Sequence, residues 1–231
     1  TKDEYWKQKA EKFTEYLRKE QYNTSHHDIG FIIGCSFLNG IRMGGEEGYK
    51  PVVVQAAKSL STRFHPGAGI IQSWNADKGR PLQMGWKCPV IIDNLMNLEL
   101  LFEATRISGD SAYYDIAVSH ADKTLRNHFH EDGSSYHVVD YDPETREVLK
   151  RCTAQGYSDE SAWARGQAWA IYGYTMCYRY THRPAYLNQA KKVYEFIFTH
   201  SNLPEDLIPY WDFDALNIPN ELRDVSAAAI T

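Results

Sequence analysis

Three stretches of the 231-residue chain open on an aromatic residue and carry apolar residues 4, 7 and 11 positions later. They are Tyr49 with Val53, Ala56 and Leu60; Tyr114 with Val118, Ala121 and Leu125; and Tyr186 with Ala190, Val193 and Ile197. That spacing puts the apolar residues on one face of an α-helix. The opening segment repeats it, with Trp6 followed by Ala10, Phe13 and Leu17. Between these amphipathic helices lie segments that are apolar on nearly every side, and each opens on an aspartate. Asp28 precedes IGFIIGCSFLNGI, Asp93 precedes NLMNLELLFEA, Asp159 precedes ESAWARGQAWAIYGY and Asp224 precedes VSAAAIT, at separations of 65, 66 and 65 residues. A helix apolar all round is buried, whereas an amphipathic one meets solvent. The pattern predicts an inner helix followed by an outer helix, repeated with a period near 65.

Aromatic and acidic stretches recur between each outer helix and the next inner one: IIQSWNAD, YHVVDYDPE and IPYWDFDA. They read as long loops with brief strands, gathered at one end of the inner helices, where loops on a rigid frame commonly carry function. Helical hairpins can stack as an open solenoid or close into a ring. Hairpins of this length with apolar inner helices point to an all-α fold, an α/α toroid with aspartates around its mouth. Residues 1–231 read as one catalytic domain, and a partial one, since the chain stops at Thr231 inside an apolar run.

Composition narrows the class of function. With 43% hydrophobic and 13% aromatic residues the chain can bury a large core, which excludes disorder. A formal charge of −5 without a basic block argues against nucleic acid as partner, and no apolar run approaches membrane-spanning length. Cys35, Cys88, Cys152 and Cys177 form no CxxC and sit among apolar neighbours, so buried free thiols are expected. HExxH, GxSxG and Walker patterns are missing, and His26/His27 have no partner at metal-ligand spacing, so neither metal nor organic cofactor is expected.

The repeated aspartates have a structural reading, as helix N-caps accepting from free backbone amides. Two stand apart by their company. Asp28 follows His26 and His27, and Asp93 follows the apolar Pro89 to Ile92. An acid in the second setting is desolvated, which raises its pKa and suits it to donate a proton near neutral pH. A second carboxylate nearby raises that pKa further and stabilises a developing cation. The other dense cluster is QGYSDESAWARGQAW, 155–169. There Trp163 and Trp169 offer stacking faces and Arg165 a bidentate donor for a carboxylated sugar. The same segment also reads as a packed aromatic helix whose Arg pairs with an Asp. His137, in the loop GSSYH, is able to bond a ligand, although a lone loop histidine is more often simply exposed.

The segments HHDIGF, PVIIDNLMNLELL, DGSSYHVVDYDP and QGYSDESAWARGQAWAIYGY, followed by RDVSAAAI, resemble the unsaturated glucuronyl hydrolases, glycoside hydrolase family 88. The match runs in order along essentially the whole chain. It implies an (α/α)6 barrel of which the first part and the last helices are missing here. It implies removal of a 4,5-unsaturated uronic acid from lyase-generated oligosaccharides of glycosaminoglycan type, by hydration of the double bond. Asp93 would then protonate C4 and activate the water that adds at C5, with Asp28 as the second essential carboxylate. His27, Trp74, His137, Gln155, Trp163, Arg165 and Trp169 would form the sugar site. The resemblance leans to a periplasmic protein and leaves the oligomeric state open. The rivals are an unsaturated rhamnogalacturonyl hydrolase on pectin fragments, a non-catalytic sugar-binding toroid, and an epimerase on a similar barrel.

Overall fold

The computed structural model describes residues 3–45 and 47–231. Helix α1 spans Glu4–Tyr16. An inner helix follows in three pieces, α2 (Ile29–Ile33), a π turn (Gly34–Leu38) and α3 (Asn39–Arg42), and α4 (Tyr49–Ser61) returns outside it. A short hairpin, β1 (Phe64–His65) with β2 (Ile70–Ile71), and a small helix α5 (Gly79–Met84) lead to β3 (Pro89–Ile91). A 3₁₀ turn, Ile92–Asn97, runs into the inner helix α6 (Leu98–Ser108), and α7 (Ala112–Asn127) is its outer partner. Then come β4 (Val138–Tyr141), β5 (Val148–Cys152), inner α8 (Ala164–Thr181), outer α9 (Pro184–Thr199) and α10 (Val225–Ile230). The alternation of inner and outer helices is the one the spacing predicts. Among the described residues no helix is long and apolar enough to cross a membrane.

The predicted faces are buried where a partner helix covers them. Tyr49, Val53, Ala56 and Leu60 on α4 and Tyr186, Ala190, Val193 and Ile197 on α9 all lie in the core, as do Val118 and Ala121 on α7. Burial of each larger apolar side chain contributes about 1.5–3 kcal/mol. The matching face of α1 differs, with Trp6 and Phe13 exposed. Helix ends follow local chemistry: Gly109 takes a left-handed φ of 78° after α6, and Pro184 occupies the first turn of α9, where its missing N–H has no helical partner to lose.

The loops carry the expected brief strands. β3, β4 and β5 form an antiparallel sheet with Ile91 opposite Val138 and Val138 opposite Cys152. The third loop, IPYWDFDA, holds only the isolated bridges Trp163–Asp212 and Tyr210–Arg223. Two expectations are corrected. Cys35 is exposed while the other three cysteines are buried, all four as free thiols. The aspartates do not cap as a set: only Asp224 accepts from a helix amide, that of Ala227. Asp28 and Asp93 make no cap bond, and Asp159 lies ahead of the first turn of α8, accepting from Thr153 instead.

Candidate active site

The three-stranded sheet brings Asp93 and His137 together. Its ladder continues one step past β3, where the Ile92 N–H donates to the His137 carbonyl at 2.9 Å, so Asp93, one residue further on, lies beside His137 at that end of the sheet. On the other side of β4, the pairing of Val138 with Cys152 carries residues 153–155 alongside His137. His137 Nδ1 accepts from the backbone N–H groups of Ala154 and Gln155, both at 3.1 Å. An acceptor at Nδ1 puts the proton of a neutral imidazole on Nε2. That Nε2 faces Asp93 Oδ2 at 3.8 Å, and neither atom has a hydrogen-bond partner among the described residues. The gap is too long for a hydrogen bond, so two buried polar groups are aimed at one space with nothing else to satisfy them.

Electrostatics assign their states. Asp93 is 8% exposed, and burial pushes its carboxyl up to about 7; the Asp28 charge adds to the rise, while its own backbone bond and Arg165 oppose it. His137 is pushed down to about 3 by burial first, then by the charges of Arg80 and Arg165. Near neutral pH the pair is therefore a substantially protonated carboxyl beside a neutral imidazole. His137 departs from the exposed loop histidine of the sequence reading, because the sheet covers it.

Asp28 sits in a different setting. Its side chain is 45% exposed and lies 3.2 Å from His27 Nε2 and 3.5 Å from His26 Nδ1. His27 is fully buried and driven down to about 4, chiefly by burial. Asn97 fixes its tautomer. The Asn97 Oδ1 accepts from the Phe31 N–H at 2.8 Å, which turns its amide Nδ2 toward His27 Nδ1 at 3.0 Å and leaves the His27 proton on Nε2, facing Asp28. Asn97 also donates to Asn94, whose own amide donates to the Ile71 carbonyl at 2.6 Å. Gly30 makes this approach possible, since a Cβ there would lie 2.6 Å from Asn97 Cβ.

The 155–169 cluster divides into lining and support. Trp163 is buried, packs against His137 with centroids 4.4 Å apart and the rings tilted by 40°, and carries the Arg165 guanidinium over its ring at 5.3 Å. Arg165 is held by Asp224, through Nε at 3.1 Å and Nη2 at 3.0 Å, so the pairing of this Arg with an Asp occurs and Nη1 stays unpaired among the described residues. Trp169 packs edge-on to Phe31, on the α2 side. Trp74 stacks with Trp86 and meets the His137 ring at right angles, centroids 6.3 Å apart. A cleft of about 480 Å³ opens beyond Trp74, lined also by Gln155 and His26; the two aspartates are not part of its wall.

Sequence reasoning missed the supports. Gln167 is fully buried and clamps Ser135, accepting from its N–H at 2.7 Å and donating to its carbonyl at 3.1 Å, which anchors the strand that delivers His137. Asp212, also fully buried, accepts from the Tyr157 N–H and the Ser161 hydroxyl, both at 2.8 Å, and holds the 155–161 loop. The available signal was a polar residue inside an otherwise apolar run, as at Asn94, Asn97 and Gln167, since such residues are buried only when bonded. Among the described residues no group of three or more His, Cys, Asp or Glu side chains converges as a metal site.

The family profile described as Glycosyl Hydrolase Family 88 matches residues 1–215. An unsaturated glucuronyl hydrolase of Formosa agariphila is 48% identical over all of this chain, which covers 56% of that relative. An unsaturated chondroitin disaccharide hydrolase of Streptococcus pneumoniae is 37% identical over 89% of this chain and 50% of its own length. The crystal structure of an unsaturated glucuronyl hydrolase specific for heparin superposes with a TM-score of 0.89 at 44% identity, covering 94% of this chain and 57% of that one. The chain thus spans about half the length of the curated relatives it matches. With the profile matched along nearly its whole length and a fold shared with such enzymes, the chain belongs to Glycosyl Hydrolase Family 88.

Proposed function

We propose that the protein containing this chain removes a 4,5-unsaturated glucuronic acid from the non-reducing end of lyase-generated, glycosaminoglycan-type oligosaccharides. The observation that carries the reading is the buried Asp93 carboxyl, raised to about 7, facing a His137 Nε2 that is otherwise unpartnered among the described residues. Protonation of carbon needs an acid that is still protonated at working pH, and this is the one environment in the site that supplies it.

In the proposed sequence Asp93 gives its proton to C4 of the vinyl ether, and the electron deficit spreads over C5 and the ring oxygen. The carboxylates of Asp93 and Asp28 stabilise that cation. Water adds at C5 and returns a proton to Asp93, giving a hemiketal. Its ring opens to a 5-keto uronate, the hemiacetal left at C1 releases the second sugar as an alcohol, and one water is consumed overall. His137 Nε2–H points to the same space and orients the water or a sugar oxygen. The unpaired Nη1 of Arg165 is available to the uronate carboxylate, and Trp74, Trp163, Trp169, Gln155 and His27 complete or support the sugar site.

A single catalytic barrel domain that includes residues 1–231 and a periplasmic location, tested by cell fractionation, belong to the same proposal. The activity is tested with full-length protein and an unsaturated chondroitin disaccharide, following ultraviolet absorbance of the conjugated uronate, with Asp93→Asn as control. Loss of absorbance in the wild type alone supports the reading. No loss with chondroitin, heparin or hyaluronan disaccharides contradicts it, and loss only with a rhamnogalacturonan disaccharide moves the substrate to pectin.

A further inference from the structure

The two aspartates are joined beneath the site by a chain of buried amides that the hydration step does not use. Asn97 lies on the 3₁₀ turn that carries Asp93, yet both ends of its amide serve the start of the preceding repeat's inner helix. Its Oδ1 accepts from the N–H of Phe31, the third residue of α2, and so supplies the cap that Asp28 does not. Its Nδ2 donates to His27 Nδ1 at 3.0 Å and to Asn94 Oδ1 at 3.2 Å. Asn94, next to Asp93, is tied in turn to the Ile71 carbonyl. Ser73 braces both sides: its carbonyl accepts from the His27 N–H at 3.3 Å, and its hydroxyl oxygen accepts from the Ile91 N–H at 3.0 Å. His27, Ser73, Asn94 and Asn97 are all fully buried, and polar groups this deep are tolerated only when bonded. Capping explains the Asn97 oxygen. It does not explain the nitrogen, since an aspartate caps a helix equally well.

We propose that Asn97 is a positioning residue for the reaction: by donating to His27 Nδ1 it keeps that ring neutral with its Nε2–H on Asp28, so the turn that holds the acid also holds the second carboxylate. The inference rests on the activity proposed above. His27 Nε2 lies 3.2 Å from Asp28 Oδ1. With the ring proton on Nδ1 instead, a lone pair would face that oxygen and turn the carboxylate away. With protons on both nitrogens, the imidazolium would cancel the Asp28 charge that acts on Asp93. The titratable and charged neighbours of His27 are Asp28 and His26 on its own turn, Arg63 just past α4 and His120 on α7. Among the described residues only Asn97 bonds its Nδ1.

The test combines nitrogen–proton NMR of full-length protein, isotopically labelled at its histidine nitrogens, with kcat and KM on an unsaturated chondroitin disaccharide. Wild type, Asn97→Asp and Asn97→Leu are compared, and His27→Gln assigns the His27 signals. In the wild type His27 is expected near neutral pH as a neutral ring protonated at Nε2. Asn97→Asp keeps an acceptor for the Phe31 N–H but sets a carboxylate against Nδ1, so His27 is expected to become doubly protonated. Its kcat is expected to fall about tenfold while KM changes by less than about threefold, and Asn97→Leu is expected to lose kcat by a similar factor. A wild-type His27 protonated at Nδ1 overturns the assignment, whether or not either variant folds. Wild-type kcat in Asn97→Asp overturns it too and leaves Asn97 as a helix cap alone, as does wild-type kcat in Asn97→Leu. If the wild type turns over no disaccharide, the activity proposal fails on its own. The His27 signals then decide whether residue 97 governs the His27–Asp28 pair, a change of protonation in Asn97→Asp supporting it and an unchanged ring refuting it.

Discussion

Asp93 and Asp28 occupy the same place in successive repeats, 65 residues apart, and each faces the Nε2–H of a buried histidine whose Nδ1 is already used. The folds around them differ. At Asp93 a sheet strand runs straight into a 3₁₀ turn, and the side chain ends up 11% exposed with one oxygen unpartnered among the described residues. At Asp28 the chain enters the inner helix from an open HHD turn, and the side chain is 45% exposed, between two histidines. Burial, not position in the repeat, separates an acid kept protonated from an exposed carboxylate that adds to its field. The third and fourth aspartates show the rest of the range: Asp159 pairs with Lys150 at the surface, and Asp224 caps a helix while holding Arg165.

The contrast breaks most visibly at Asp93. Asp93→Asn is expected to lower turnover by roughly 10³-fold while disaccharide binding, followed by calorimetry, stays within a few-fold. Asp28→Asn instead shifts the pH profile. Loss of its negative charge lowers the Asp93 pKa, so the alkaline fall in rate moves to lower pH. The sign for stability is also fixed. A carboxyl raised from the ordinary range to about 7 contributes stability below its unfolded pKa and loses it as pH rises through 7, so Asp93→Asn is expected to melt higher than wild type at pH 8.

His137 gives the next largest effect. His137→Ala removes the group facing Asp93 Oδ2 and is expected to reduce kcat by about 10–100-fold, with His137→Gln, which retains an N–H donor, recovering part of it. On the Asp28 side the strongest structural change is Gly30→Ala. Its Cβ would meet Asn97 Cβ at 2.6 Å, and the overpacking is expected to cost about 1–3 kcal/mol in denaturant unfolding. The smallest effect tests the capping contrast: Asp224→Ala should cost about 0.5–2 kcal/mol and Asp28→Ala, which loses no cap bond, about 0.5 kcal/mol or less.

Periodicity made the helical frame legible, since a face of apolar residues at 4, 7 and 11 has one use in a packed hairpin. The candidate catalytic residues were legible where sequence neighbours set the environment, as with the apolar run before Asp93. What pattern could not supply was the sheet register. His137 looked like a loop histidine because β4, which it precedes, owes its central place to pairing with β3 about 50 residues away on one side and β5 on the other. Capping failed for Asp28 and Asp93 for a related reason: an N-cap needs free amides in front of it, and the 3₁₀ and turn geometry at these two starts aims the side chains elsewhere. Gln167 and Asp212 escaped notice because their roles are bonds to backbone distant in sequence.

The central claim is that burial holds the Asp93 carboxyl protonated near neutral pH. Carboxyl titration by infrared or carbon NMR difference between wild type and Asp93→Asn, in the full-length protein without substrate, measures it directly. The account predicts a single lost titration with a midpoint near 7. A midpoint in the ordinary aspartate range, around 4, would mean that Asp93 is ionised at working pH, and the proton given to C4 would have to come from another group.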